Sequence, residues 1–188
     1  MNENQKTFVI SLGGSMIVPD EVNTQFLQDF KSLIVSFVEK GYRFFIITGG
    51  GKIARMYNNA AGDIGKPESH DLDWMGIQTT RVNAELVRIL FKEYAPEKIV
   101  YGAGEATQFQ THGVVVGGGW QAGGSSDQVT VLLAKEIGAT YIINLSNISF
   151  VYNADPKTHL EAQKITDISW RDYRNIICLL YTSPSPRD

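Results

Sequence analysis

The chain has 188 residues, 43% of them hydrophobic, enough to bury one sizeable core without disulfides or a structural metal; a disordered tail protein is excluded. With 17 Lys and Arg against 20 Asp and Glu, the net charge is -3 and no long block of one sign occurs, so neither nucleic acid nor a membrane surface is an expected partner. The longest apolar runs, such as Phe44 to Ile47 and Val114 to Val116, fall far short of the roughly 20 residues that cross a bilayer. Polar Met1 to Thr7 has no secretory character, and a soluble, cytoplasmic protein is expected. The lone Cys178 has no partner for an internal disulfide and no metal-ligand spacing around it.

Along the chain, Phe8 to Leu12 reads as a buried strand breaking at Gly13-Gly14-Ser15. Val22, Phe26, Phe30, Leu33, Ile34, Phe37 and Val38 then recur at helical spacing, and Gly41 supplies the stop. Phe44 to Thr48 is a second buried strand ending in glycine, followed by a helix over Lys52 to Ala61. Asp71 to Tyr94 predicts a long helix with Leu72, Met75, Leu86, Val87, Leu90 and Phe91 as its apolar positions. Ile99 to Tyr101 and Val114 to Val116 read as strands. Ser125, with Gln128 three residues on, matches a capping box for a helix running to Ile137, and Tyr141 to Leu145 is the next strand. Strands alternating with helices predict an α/β fold, a three-layer αβα sandwich with a mostly parallel central sheet, whose ligands sit beyond the carboxyl ends of the strands.

Much of the glycine lies in clusters at those strand ends. In Gly49-Gly50-Gly51-Lys52-Ile53-Ala54-Arg55, backbone N–H groups at a helix start converge on an anion, with two cations in the first turn; a phosphate suits this site. Gly117 to Asp127 repeats the logic with five glycines, two hydroxyls and a carboxylate. The common P-loop does not fit, because Ile53 follows Lys52 and position 46 is Ile. Gly102-Ala103-Gly104 fails the dinucleotide fingerprint, because position 107 is Thr. The alternatives to a ligand site are a tight turn with two solvent-facing basic residues at Gly49 to Arg55 and, over Asp73 to Asn83, an ordinary amphipathic helix with polar residues outward.

Five motifs in order carry a resemblance to a known family. They are Ile10-Ser11-Leu12-Gly13-Gly14-Ser15, Thr48 to Arg55, Asp73 to Asn83, Gly117-Gly118-Gly119-Trp120 through Ser125-Ser126-Asp127, and Ser146 to Pro156. Over about residues 7 to 177 the chain resembles the amino acid kinase family, and within it the archaeal-like branch of UMP (uridylate) kinases. The resemblance implies transfer of the γ-phosphoryl of MgATP to UMP, with Mg2+ carried on ATP, and a homo-oligomer, a hexamer in the family. It assigns Gly14, Ser15, Lys52 and Asp127 to catalysis. Gly50, Gly51, Arg55, Asp73, Gly76, Thr80, Asn83 and Ser126 fall to UMP, and Gly13, Gly14, Asn147, Tyr152 and Asp155 to ATP. No protein ligand for a metal is named, and His70, His112 and His159 read as solvated residues without a role. Trp120 either borders the nucleobase or plugs its loop.

Three departures stand out. Ser11 occupies a position where many family members have Lys, Ser149-Phe150 replaces the usual Asp-Gly of the nucleotide loop, and the pattern stops near Ile177 without the family's C-terminal end. One incomplete domain over residues 1–178 and an unstructured, non-native tail over 179–188 are therefore expected. Another small-molecule kinase of the same fold and a nucleotide-binding module without catalysis are the competing readings.

Overall fold

The computed structural model describes residues 6–147, 151–154, 159–169 and 172. They fall into two compact units that divide between Ser146 and Asn147. The expectations for Ser149-Phe150, Asp155-Pro156, Cys178 and the tail over 179–188 concern positions outside the described residues.

The first unit is built on β1 (Thr7–Leu12), β2 (Arg43–Thr48), β3 (Val114–Gly117) and β4 (Tyr141–Leu145), all parallel, in the order β3-β2-β1-β4. Alternate residues of each strand enter different cores, because successive side chains leave opposite faces of a sheet. Ile10, Leu12, Phe44, Ile46, Val114 and Val116 pack on one face against Ile17, Leu27, Phe30, Ile34, Ala84, Val87 and Phe91. Val9, Phe45, Ile47 and Val115 pack on the other against Val129, Leu133, Ala134 and Ala106. The first set of helices comprises α1 (Gly14–Ile17), α2 (Thr24–Val38), α3 (Gly51–Ile64) and α4 (Ser69–Leu90); the second comprises α5 (Ala103–Ala106) and α6 (Ser126–Glu136). This is the expected three-layer α/β fold, and β1 and β2 carry unbroken apolar runs, Phe8 to Ile10 and Phe44 to Ile47, because they are covered on both faces.

Chain reversals follow local chemistry. Asn23 caps α2 by accepting from the Phe26 N–H at 3.1 Å, and Ser125 caps α6 by accepting from the Gln128 N–H at 3.2 Å, one half of the expected capping box. Two expectations need correction. The strand foreseen at Ile99 to Tyr101 is a single bridge from Val100 to Gly117. The α2 stripe is Leu27, Phe30 and Ile34, while Leu33 and Phe37 are exposed, because apolar residues lie on both sides of the helix and spacing alone does not choose between them.

The second unit contains a short antiparallel pair, β5 (Val151–Tyr152) with β6 (Lys164–Ile165), Tyr152 opposite Lys164. It is extended by the Asn153 N–H donating to the Gln163 carbonyl at 3.1 Å and the Gln163 N–H to Asn153 Oδ1 at 2.8 Å.

Candidate phosphate and nucleotide site

The carboxyl ends of β1 and β2 come together without side chains between them. A Cβ on Gly14 would sit 2.6 Å from the Gly49 carbonyl oxygen, and one on Gly51 would sit 2.6 Å from the Ser15 nitrogen; Gly51 also has φ +58°, open to glycine at least cost. A Cβ on Gly49 would come within 3.5 Å of Ser126 Oγ at the start of α6. The first turns of α3 and α6 therefore meet at one spot, and helix N-termini favour anions.

The wall opposite is the first half of α4. Its buried residues are Asp73, Gly76, Ile77, Thr79, Thr80, Asn83, Ala84 and Val87, a stripe at helical spacing that is largely polar as far as Asn83 and apolar after it. Asp73 and Asn83 are 9% and 1% exposed, whereas Trp74, Met75 and Val82 face solvent. Met75 is thus not a core position, and the amphipathic alternative with polar residues outward does not hold here. Inverting the polarity of a helix is costly unless the buried groups have work to do.

Two of those groups, Asn83 and Thr80, hold loop backbone, and Thr48 of β2 holds the backbone of α4 in return. Asn83 Nδ2 donates to the Gly49 carbonyl at 2.8 Å, Thr48 Oγ1 to the Thr80 carbonyl at 2.8 Å, and the Gly119 N–H to Thr80 Oγ1 at 2.6 Å. Thr80 in turn donates to the Ile77 carbonyl at 2.7 Å. Between α4 and the glycine loops lies a cleft of about 380 Å³, open to solvent, lined by Gly50, Ala54, Asp73, Gly76, Ile77, Thr80, Gly119, Gln121, Gly123, Gly124 and Ser126. A Cβ on Gly76 would meet nothing within 4 Å, so this glycine keeps the cleft open.

Of the expected substrate residues, Gly50, Asp73, Gly76, Thr80 and Ser126 line this cleft, while Gly51 and Asn83 shape it from behind. Gly13, Gly14 and Ser15 stand at the end of β1; the Gly13 N–H donates to the Leu145 carbonyl at 2.8 Å, joining this loop to β4. Asp127 lies at the start of α6, where its Oδ1 accepts from Ser11 Oγ at 2.6 Å and from Asn144 Nδ2 at 3.0 Å. Ser11 and Asn144 are register partners on β1 and β4, so one cross-strand pair holds one carboxylate. Lys52 points elsewhere: its ammonium pairs with Asp20 at the surface and holds that carboxyl below the usual range, chiefly through the hydrogen bond. Arg55 is exposed on the same helix. Asn147 and Tyr152 belong to the second unit, and Asp155 lies outside the described residues.

Ala54, Ile77, Gln121 and Asn144 are site residues that sequence reasoning missed. Only Asn144 left a signal, a polar residue near the carboxyl end of a strand. Trp120 packs with the core cluster under α6, so the plug reading fits it. His70 is exposed and accepts from Trp74 Nε1 at 2.9 Å. His112 is not solvated as expected: it is half-buried against Phe109, with Nδ1 shut away from water. Among the described residues no group of three or more His, Cys, Asp or Glu is placed to hold a metal ion, and no helix is long and apolar enough to cross a membrane.

A model of the amino acid kinase family matches residues 6–183. The chain is 38% identical over 157 residues to a uridylate kinase of Methanocorpusculum labreanum, covering 83% of this chain but 66% of that protein. It is 34% identical to a uridylate kinase of Pyrococcus abyssi, covering 90% and 75%. The crystal structure of uridylate kinase from Archaeoglobus fulgidus superimposes with a TM-score of 0.75 at 33% identity, over 91% of this chain and 77% of that one. This chain thus spans about two thirds to three quarters of the length of these relatives.

Proposed function

The chain belongs to the amino acid kinase family, and from that premise we propose that it is a UMP kinase, transferring the γ-phosphoryl of MgATP to UMP to give UDP and ADP. The observation that carries the reading is the buried polar stripe of α4, facing glycine loops and two helix N-termini across an open cleft. A ligand with an anionic end and a hydroxyl-bearing end fits those two walls.

In the proposed reaction an oxygen of the UMP phosphate bonds to the γ-phosphorus while the bond to the β–γ bridging oxygen breaks, leaving ADP. The accepting oxygen is already anionic, so no strong base is needed; alignment and charge neutralisation do the catalysis. Gly50 and Gly51 present backbone N–H groups to the UMP phosphate, with Arg55 as the nearby cation. Asp73 accepts from ribose hydroxyls, Gly76 leaves room for the nucleoside, and Thr80, Asn83 and Ser126 complete the wall. Gly13, Gly14 and Ser15 face the transferring group, Asp127 organises it, and Lys52 adds charge on leaving Asp20. Asn147, Tyr152 and Asp155 are proposed for ATP. Mg2+ arrives on the donor's phosphates, held by their oxygens and water, so no all-protein cage is required. Homo-oligomer formation has a candidate surface in the outer face of α4, where Met75, Val82 and Ile89 are exposed.

The test is ADP formation with MgATP across UMP, CMP, AMP and acetylglutamate, beside calorimetric UMP binding. UMP-selective turnover is expected. UMP binding without ADP would leave the binding-module reading, and turnover of a carboxylate alone would move the chain to another acceptor.

A further inference from the structure

Gly119 has both backbone polar groups taken by adjacent residues of α4. Its N–H donates to Thr80 Oγ1 at 2.6 Å, and its carbonyl accepts from Arg81 Nε at 3.2 Å. Thr80 lines the cleft; Arg81 does not. The Arg81 guanidinium instead lies 4.8 Å from the ring centroid of Tyr101 and 6.0 Å from that of Trp74. The main chain that carries Tyr101 and the indole of Trp74 are each held by a hydrogen bond. Tyr101 donates its N–H to Glu105 at 2.8 Å, whose other oxygen accepts from Lys98 at 2.6 Å, and Trp74 Nε1 donates to His70. A planar guanidinium next to two aromatic rings has little freedom to turn, so its Nε–H stays aimed at the Gly119 carbonyl.

We propose that Arg81 is a positioning residue for the acceptor site, acting through Gly119 to set the loop from Gly117 to Gly124. That loop supplies Gly119, Gln121, Gly123 and Gly124 to the cleft, and with so much glycine it has many conformations to lose. Thr80 alone leaves the Gly119 carbonyl unpinned. With Arg81 in place the loop is ordered before ligand arrives, and the ordering cost is removed from the binding step. The naming of the ligand as UMP rests on the reading above; the ordering of the loop does not.

The test compares Arg81→Met with Arg81→Gln in the full chain. Met keeps the length of the stem but puts a methyl where Nε was, whereas Gln puts an amide donor the same number of bonds from Cα. In Arg81→Met, amide exchange over residues 117–124 without ligand and the Kd for UMP should both rise about tenfold, the worth of one hydrogen bond, with KM for ATP unchanged. Arg81→Gln should restore both to within about threefold of the parent, which bulk packing or charge alone would not predict. Parent-like exchange in Arg81→Met, failure of Gln to recover what Met loses, or a loosened loop with unaltered UMP affinity would each overturn the proposal. Should Arg81→Met not fold, Tyr101→Leu at its exposed ring carries the same test, with faster loop exchange expected and parent-like exchange overturning it. A parent chain that binds no UMP overturns the kinase reading only, because loop exchange still reports on Arg81.

Discussion

Gly76 and Gly51 sit in the same site for opposite reasons, and single substitutions separate them. Gly76 borders empty space inside a helix, so Gly76→Ala should raise stability by about 0.5–1 kcal/mol, since glycine costs that much in mid-helix. Gly76→Leu should keep the parent melting temperature while filling the cleft and abolishing UMP binding; retained binding in a calorimeter would mean that the nucleoside sits elsewhere. Gly51 has left-handed backbone and no space, so Gly51→Ala should cost about 1–2 kcal/mol from the backbone angle alone, with the overlap on Gly14 and Ser15 added, read as a fall in melting temperature. At Asp127, Ser11→Ala removes one of two donors to Oδ1. A fall in kcat of about tenfold with UMP and ATP KM values unchanged is expected, and an unaltered kcat would show that this bond is not needed for turnover.

At the scale of elements, α4 carries the lesson about what a sequence discloses. Strands such as Phe44 to Ile47 were legible because burial on both faces leaves an unbroken apolar run. Hydrophobic periodicity failed in the first half of α4, where it placed Met75 inside, because the inward residues Asp73, Thr80 and Asn83 are polar and face a cleft. The motif resemblance, not the pattern, picked those three out. Asn144 and Arg81 escaped because their partners, Asp127 and Gly119, are 17 and 38 residues away, and nothing local reports such a pairing. The fixing of the Gly49 loop by α4 is testable in Asn83→Leu, which strands a buried carbonyl and should cost about 1–3 kcal/mol in denaturant unfolding. The segment before α5 gives a pH signature. Glu105 is held below the ordinary 4.5 first by the Lys98 hydrogen bond and next by the Tyr101 N–H. A carboxyl whose folded pKa is depressed stabilises the fold above its unfolded value and loses that contribution as pH falls through the folded one. Parent and Glu105→Gln should therefore differ most near neutral pH and converge in acid; a difference that grows in acid would contradict the pairing.

At the scale of the molecule, β1 has β2 on one side and β4 on the other, with connecting helices on opposite faces of the sheet, and the region beyond their carboxyl ends is where open α/β sheets place ligands. The polar ends of the chemistry gather there, and on the outer face of α4 Met75, Val82 and Ile89 are left exposed. If that face joins copies, the parent should run as an oligomer in light scattering, and Val82→Glu, at a residue 65% exposed, should reduce its mass without lowering its melting temperature. The contact of Gly14 with Gly51 bears on how such a protein can change over time. Behind one wall of the cleft main chain packs on main chain, so this backing offers no side chain to exchange and scarcely any substitution it can accept. Ile77 and Gln121, by contrast, line the same cleft through side chains. A lineage adapting to a new acceptor would have to rewrite those side chains while inheriting the anion-binding wall intact.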